Sequence, residues 1–415
     1  MTRSAGWILG LAYSATWAIA GWLWTRPLND LDFFFLPAVR IALSGHPLQI
    51  YAVRFQGYIA NDNGPLGLLP LTAVAGFASW FGWLDEERLR RMLIVGVFSI
   101  FSLLMAREAV AAIDRMRGAH LERWWRLLAY GVFLASPILW NSVLGYGHIE
   151  QPMTIWLVLL GVRTLASERP AVAGICFGLA LLTRSLAALP LIPVALVLLV
   201  RRRWSSLTWM LGSAALVVTL GVLPFLLGDP VNTIYSLITH RADVPVAAGS
   251  FWQLVVGTPY EWLPQHLDVL FVLGMAGLAS LIVILFRRDL EPWSPDLYGL
   301  LALTALALPL LAKNVWPYYF LDAYVFGAIW WLGSPGWLAF GRRLIWAAIP
   351  IVAMLGTLAT EYEMGDLTGR VRLTEGVGMG AVLVVLLVAL VVRLARRGRP
   401  VTAVAETSPA SVSGR

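Results

Sequence analysis

Charge is scarce in this 415-residue chain: 13% of its residues are Asp, Glu, Lys or Arg, 59% are hydrophobic, and the mean hydropathy is +0.74. A soluble domain carries about 25% charged residues, so this composition points away from one. Cys176 is the sole cysteine, which rules out an intrachain disulfide and a cysteine-ligated metal cluster. Lysine is almost missing too, since Lys313 is the only one among 31 basic residues. The five histidines lack the paired helical spacing of a metal site. No P-loop, dinucleotide fingerprint or nucleophile elbow occurs, so nucleotide-driven and serine-hydrolase chemistries have no foothold.

What the chain has instead is a succession of apolar runs of membrane-spanning length. They fall near 6–24, 65–84, 92–110, 127–144, 152–167, 170–184, 186–200, 208–227, 267–286, 296–311, 320–337, 344–360 and 376–392. The chain therefore reads as an all-α, polytopic membrane protein. The first run is long enough to span and carries Trp17, Trp22 and Trp24 near its end, which suits a retained signal-anchor helix better than a cleaved signal.

Charge position sets the topology. With twelve crossings and an inner N-terminus, 20 of the 31 basic residues face inward, including Arg201–Arg203 and the Arg-rich stretch 393–399. The net charge of +7 then follows from the positive-inside rule and is no nucleic-acid signal. That arrangement requires 65–84 to lie along or dip into the outer interface, and its flanks Asn61–Pro65 and Asp85–Arg91 are polar. It leaves two long outer segments, about 25–91 and about 228–266, of the kind that carries function more often than not. Residues 1–397 form the transmembrane domain, and the Ser/Thr/Pro/Ala-rich stretch 398–415 reads as a disordered inner tail.

Five clusters of polar residues interrupt this apolar background. Asp30 and Asp32 follow the first run, where carboxylates at a membrane boundary are costly and a functional role is the default. On a helix their side chains diverge by about 200°. One is therefore expected to act as a base, with Asp32 favoured, and the other to be structural, capping the helix that starts near Phe33. His148 and Glu150 sit in the turn Leu144–Pro152, on the same outer face. Glu150 is a candidate for a sugar hydroxyl or an acceptor and His148 for a phosphate, the plainer alternative being a polar hairpin loop. Arg184 is placed to meet a phosphate head group, or else to snorkel. Lys313, Asn314, Tyr318 and Tyr319 stand at another outer boundary, where they either line a sugar pocket or anchor the interface. His240, Arg241 and Asp243 form the weakest cluster, because scattered polar residues in a long loop are usually only solvated.

Taken in order, these stretches resemble the GT-C glycosyltransferase superfamily, most of all glycosyltransferase family 87, the polyprenol-phosphate-sugar-dependent mannosyltransferases. The resemblance rests on Asp32-Phe33 with following aromatics, Ala42–Pro47 with Tyr51, Gly64–Pro70, Gly147-His148-Ile149-Glu150, Ala173–Arg184 and Asn314–Tyr319. Arg184 stands where that family more commonly has lysine. The resemblance implies an inverting transfer in which Asp32 deprotonates an acceptor hydroxyl while polyprenyl phosphate leaves from the opposite face. His148, Glu150, Arg184, Lys313, Asn314, Tyr318, Tyr319 and Tyr51 would bind substrate. The implied partners are a polyprenyl-phosphate-linked sugar donor, a glycan or glycolipid acceptor and membrane lipids, with no cofactor and no nucleic acid. The implied location is a bacterial plasma membrane with both termini cytoplasmic. Two other readings stand beside it, a transporter or flippase of a lipid-linked saccharide and a non-catalytic family member.

Overall fold

In the computed structural model, residues 3–28, 30–55, 59–61, 63–117, 121, 123–247, 250–287, 290–292, 294–333 and 369–396 are described. Apart from a two-residue antiparallel ladder, β1 (Arg54–Phe55) against β2 (Ile59–Ala60), the described chain is helical. The apolar run 344–360 and the tail 398–415 lie outside the described residues.

The helices follow the apolar runs closely. They are α1 (Arg3–Leu23), α2 (Leu36–Leu43), α3 (Pro65–Trp80), α4 (Glu87–Arg117), α5 (Arg123–Leu134), α6 (Pro137–Trp140), α7 (Gln151–Ala166), α8 (Pro170–Thr183), α9 (Ala188–Val200), α10 (Trp204–Gly228), α11 (Pro230–Ile234), α12 (Trp262–Phe286), α13 (Pro295–Leu311), α14 (Phe320–Gly333) and α15 (Gly369–Arg396). Proline at the first or second position opens α2, α3, α6, α7, α8, α11 and α13, where its missing N–H costs no helical bond.

Four helical stretches are long and apolar enough to cross a membrane: Glu87–Arg117, Arg123–Gly145, Trp204–Gly228 and Trp262–Phe286. The helices of α1, α3, α7, α8, α9, α13 and α15 are apolar over shorter lengths. Helix α13 is buried from Asp296 to Leu310, and α14 is nearly so. By contrast, α10 turns Trp209, Leu216, Leu220 and Leu227 outward, and α12 turns Leu270, Leu278 and Phe286 outward. An apolar core inside an apolar rim is the pattern lipid-facing helices produce.

Close packing fixes the frame. Gly174 and Gly178, one turn apart on α8, meet the backbone of α10 directly: a Cβ on Gly174 would lie 2.1 Å from the Met210 carbonyl oxygen. One apolar run, 127–144, is not a single helix. Leu134 ends α5, Pro137 opens α6, and a π-turn over Asn141–Gly145 finishes the segment. The freed Leu134 carbonyl accepts from Trp140 Nε1 (3.0 Å) and Tyr13 Oη (3.3 Å), so the break leaves that oxygen satisfied.

The two long segments expected on the outer side, about 25–91 and 228–266, contain local structure. The first holds a π-turn (Leu31–Phe35), α2, a 3-10 stretch (Pro47–Ala52), the ladder and α3. The second holds α11, a π-turn (Tyr235–Thr239) and 3-10 turns over His240–Asp243 and Phe251–Val255.

Candidate functional site

The segment after α1 is laid against the turn before α7. Asp30 N–H donates to the Tyr146 carbonyl at 2.8 Å. Gly147 makes this approach feasible: its φ is +78°, and a Cβ there would stand 2.7 Å from Leu31 N and 2.9 Å from Leu28 O. The turn closes on itself, with His148 N–H donating to Ser142 O at 3.0 Å.

A continuous line of charge follows. Asp30 Oδ2 lies 3.1 Å from His148 Nε2, an ion-pair distance without hydrogen-bond alignment. His148 Nδ1 meets Glu150 Oε1 at 2.8 Å, and Arg184 Nε is 3.8 Å from the same oxygen. The imidazole, Glu150 and Arg184 are buried, whereas 25% of the Asp30 side chain is exposed. Burial alone would drag the His148 pKa down; the flanking carboxylates of Asp30 and Glu150 overcome this and raise it to about 9. His148 is therefore an imidazolium joined to carboxylates on both sides at neutral pH.

Arg184 ends α8 and has unused capacity. Among the described residues no hydrogen bond reaches its guanidinium, and Nη1 is buried without a partner. Its charge faces Glu150 and Asp322, and it lies over the Tyr318 ring at 5.4 Å. The Tyr318 ring in turn packs on His148, with centroids 3.8 Å apart, and on Tyr319 and Tyr146. The N-terminal turn of α3 borders the same place, because a Cβ on Gly67 would touch Thr183 O and the Glu150 side chain.

Two members of this site escaped the sequence analysis. Gln151 is wholly buried and saturated: it accepts from Ser142 Oγ (2.6 Å) and donates to Tyr318 O (3.0 Å) and Asp322 Oδ2 (3.2 Å). Asp322, in the first turn of α14, faces Arg184. A lone carboxylate inside the apolar run 320–337 was the available signal.

The remaining candidates are directed elsewhere. Asp32 accepts from Leu28 N–H (2.7 Å), Arg90 (3.3 Å) and Arg91 (3.2 Å), and Arg91 also pairs with Glu87 and donates to Trp24 O. Its carboxylate ties the loop after α1 to α4, with both oxygens engaged. Tyr51 is fully buried, donating to Asn63 O at 3.1 Å and packing on Phe225.

Lys313 belongs to a second polar cluster. Its ammonium donates to the carbonyls of Arg241 and Gln265, and Arg241 chelates Asp268 through Nε (3.0 Å) and Nη2 (2.7 Å). Burial lowers the Lys313 pKa to about 8, against the pull of Asp268. With its amide turned so that donors meet acceptors, Asn314 donates to Pro245 O at 3.0 Å. Asp243 accepts from Tyr235 Oη at 2.7 Å. Asp30, His148, Glu150 and Arg184 thus converge, while Asp32 is tied to α4 and Lys313 to the Arg241–Asp268 cluster. Asp32 and Lys313 differ because neighbouring arginines and carbonyls, invisible as neighbours in one dimension, engage them.

Among the described residues no group of three or more His, Cys, Asp and Glu side chains is arranged to hold a metal ion. Neither a scan of protein-family models nor a search of curated proteins finds a match to this chain.

Proposed function

We propose that the chain is an integral-membrane glycosyltransferase that moves a sugar, mannose by the resemblance, from a polyprenyl-phosphate donor to a lipid or cell-envelope glycan acceptor. Its site would face the outer side of a bacterial plasma membrane, carried on twelve crossings with both termini inside. The observation that carries this reading is the line Asp30–His148–Glu150–Arg184. It gathers acid, base and cation from three distant segments at one end of an apolar helical frame.

Asp30, partly exposed, is the aspartate with room for a hydroxyl; Asp32 has its oxygens taken by two arginines and a backbone N–H. In the proposed step the acceptor oxygen forms a bond to the anomeric carbon as its proton passes to Asp30. The bond from that carbon to the phosphate oxygen breaks, and its electron pair leaves with polyprenyl phosphate. Positioned base assistance of this kind contributes about 10²–10⁴-fold. His148 holds Asp30 in place, and Arg184, whose guanidinium has no hydrogen bond among the described residues, supplies positive charge for the departing phosphate.

The reading is tested in membranes supplied with radiolabelled polyprenyl-phosphate mannose. Asp30→Asn should lower transfer at least about 100-fold at equal expression, and undiminished transfer overturns it.

A further inference from the structure

Asp322, like Asp30, is tied through one oxygen and has no hydrogen bond among the described residues on the other. Oδ2 accepts from Gln151 Nε2 at 3.2 Å. Among the described residues no hydrogen bond reaches Oδ1, and it is not among the sealed, unsatisfied atoms of the core. The residue is only partly buried. Glu150 differs sharply: it is 1% exposed, with Oε1 committed to His148 and Oε2 enclosed without a partner.

Everything around Asp322 serves to hold it still. Gln151 spans the π-turn, the start of α7 and the Tyr318–Asp322 stretch, with all its hydrogen bonds made inside the fold. Arg184 supplies the opposing charge without hydrogen-bonding it. An acceptor oxygen held in this way, in one cluster with Arg184, Glu150 and His148, suits the hydroxyl of a sugar ring. A carboxylate can only accept, so it selects for an O–H at one ring position.

We infer that Asp322 is a specificity-determining residue whose open oxygen accepts a hydrogen bond from one hydroxyl of the transferred sugar. The inference rests on the glycosyltransferase reading and adds to it the group that reads the sugar. A site built to bond a hydroxyl rejects an analogue lacking it more strongly than an apolar pocket does, because the acceptor then loses its partner.

The test uses the full chain in nanodiscs, with farnesyl-phosphate mannose and its 2-, 3-, 4- and 6-deoxy analogues as probes. Affinities are measured for the wild type and Asp322→Asn, in which the amide oxygen can still accept from Gln151. Asp322→Asn should bind farnesyl-phosphate mannose about 10-fold or more weakly. One deoxy analogue should bind both proteins equally, which a merely structural role for Asp322 would not produce. Equal weakening across all five probes, or no weakening, overturns the inference. A wild type that binds none of the probes overturns it together with the reading beneath it. A wild type that shows the hydroxyl-specific pattern yet transfers nothing sinks the transferase reading and leaves Asp322 as the sugar-reading residue.

Discussion

His148 Nε2 stands 3.1 Å from Asp30 Oδ2, so a residue at the mouth of α7 is charge-paired with one at the exit of α1. Against burial, which lowers it, Asp30 and Glu150 together raise the His148 pKa to about 9 from an ordinary 6.5. Between those values the folded chain keeps a proton that the unfolded chain has shed, so stability falls as pH rises there. The contribution is whole below pH about 6.5 and gone once pH has climbed through about 9. Thermal melts in detergent across this window should decline for the wild type and show a clearly weaker decline for His148→Gln. Parallel curves would contradict the bridge.

Lys313 carries the opposite sign. Its pKa, lowered to about 8 from 10.5, means that charging it opposes folding. Stability from this group rises with pH between about 8 and 10.5. Lys313→Met should remove that rise from the melting curve while leaving the His148-linked fall in place. A variant with the wild-type profile above pH 8 would show that the ammonium is solvated instead.

Asp32→Asn should damage the fold more than the chemistry. It leaves Arg91, whose side chain is 2% exposed, with Glu87 as its one counter-charge among the described residues. Removing one partner of a buried pair costs about 3 kcal/mol. The expected result is a lowered melting temperature with transfer per folded molecule reduced less than by Asp30→Asn. Full stability with abolished transfer would return the base role to Asp32, where the sequence pattern first placed it.

Gly147→Ala puts a methyl group against Leu28 and Leu31 at a φ of +78°, so about 2 kcal/mol or more of stability should be lost. Gly131→Ala is the matched control. No atom lies within 4 Å of a Cβ there, and the helix gains up to about 1 kcal/mol. Similar melting temperatures for the two variants would contradict the docking of the segment after α1 on the 145–150 turn.

How far did the sequence reach? The helices were legible because a 20-residue apolar run has few other solutions in a membrane. The break at Leu134–Pro137 carried one local sign, Ser136-Pro137, but Tyr13, which caps the freed carbonyl together with Trp140, comes from far away in the chain. The association of Asp30 with the His148–Glu150 turn agrees with the expectation that both lie on one face. The division of labour between Asp30 and Asp32 was hidden, since it depends on Arg90 and Arg91 packing beside Asp32. Lys313 looked free for a phosphate because the carbonyls that receive it belong to Arg241 and Gln265, far away in the chain. Asp322 was overlooked inside its hydrophobic run, although an isolated carboxylate in such a run is itself a flag.

The most direct test of the account compares Asp30→Asn with the wild type for mannose transfer from polyprenyl-phosphate mannose, in membranes holding equal amounts of folded protein. The account predicts ready transfer by the wild type and a loss of about 100-fold or more in the variant. Equal rates in the two membranes, or no transfer by the wild type from any polyprenyl-phosphate sugar, would contradict it.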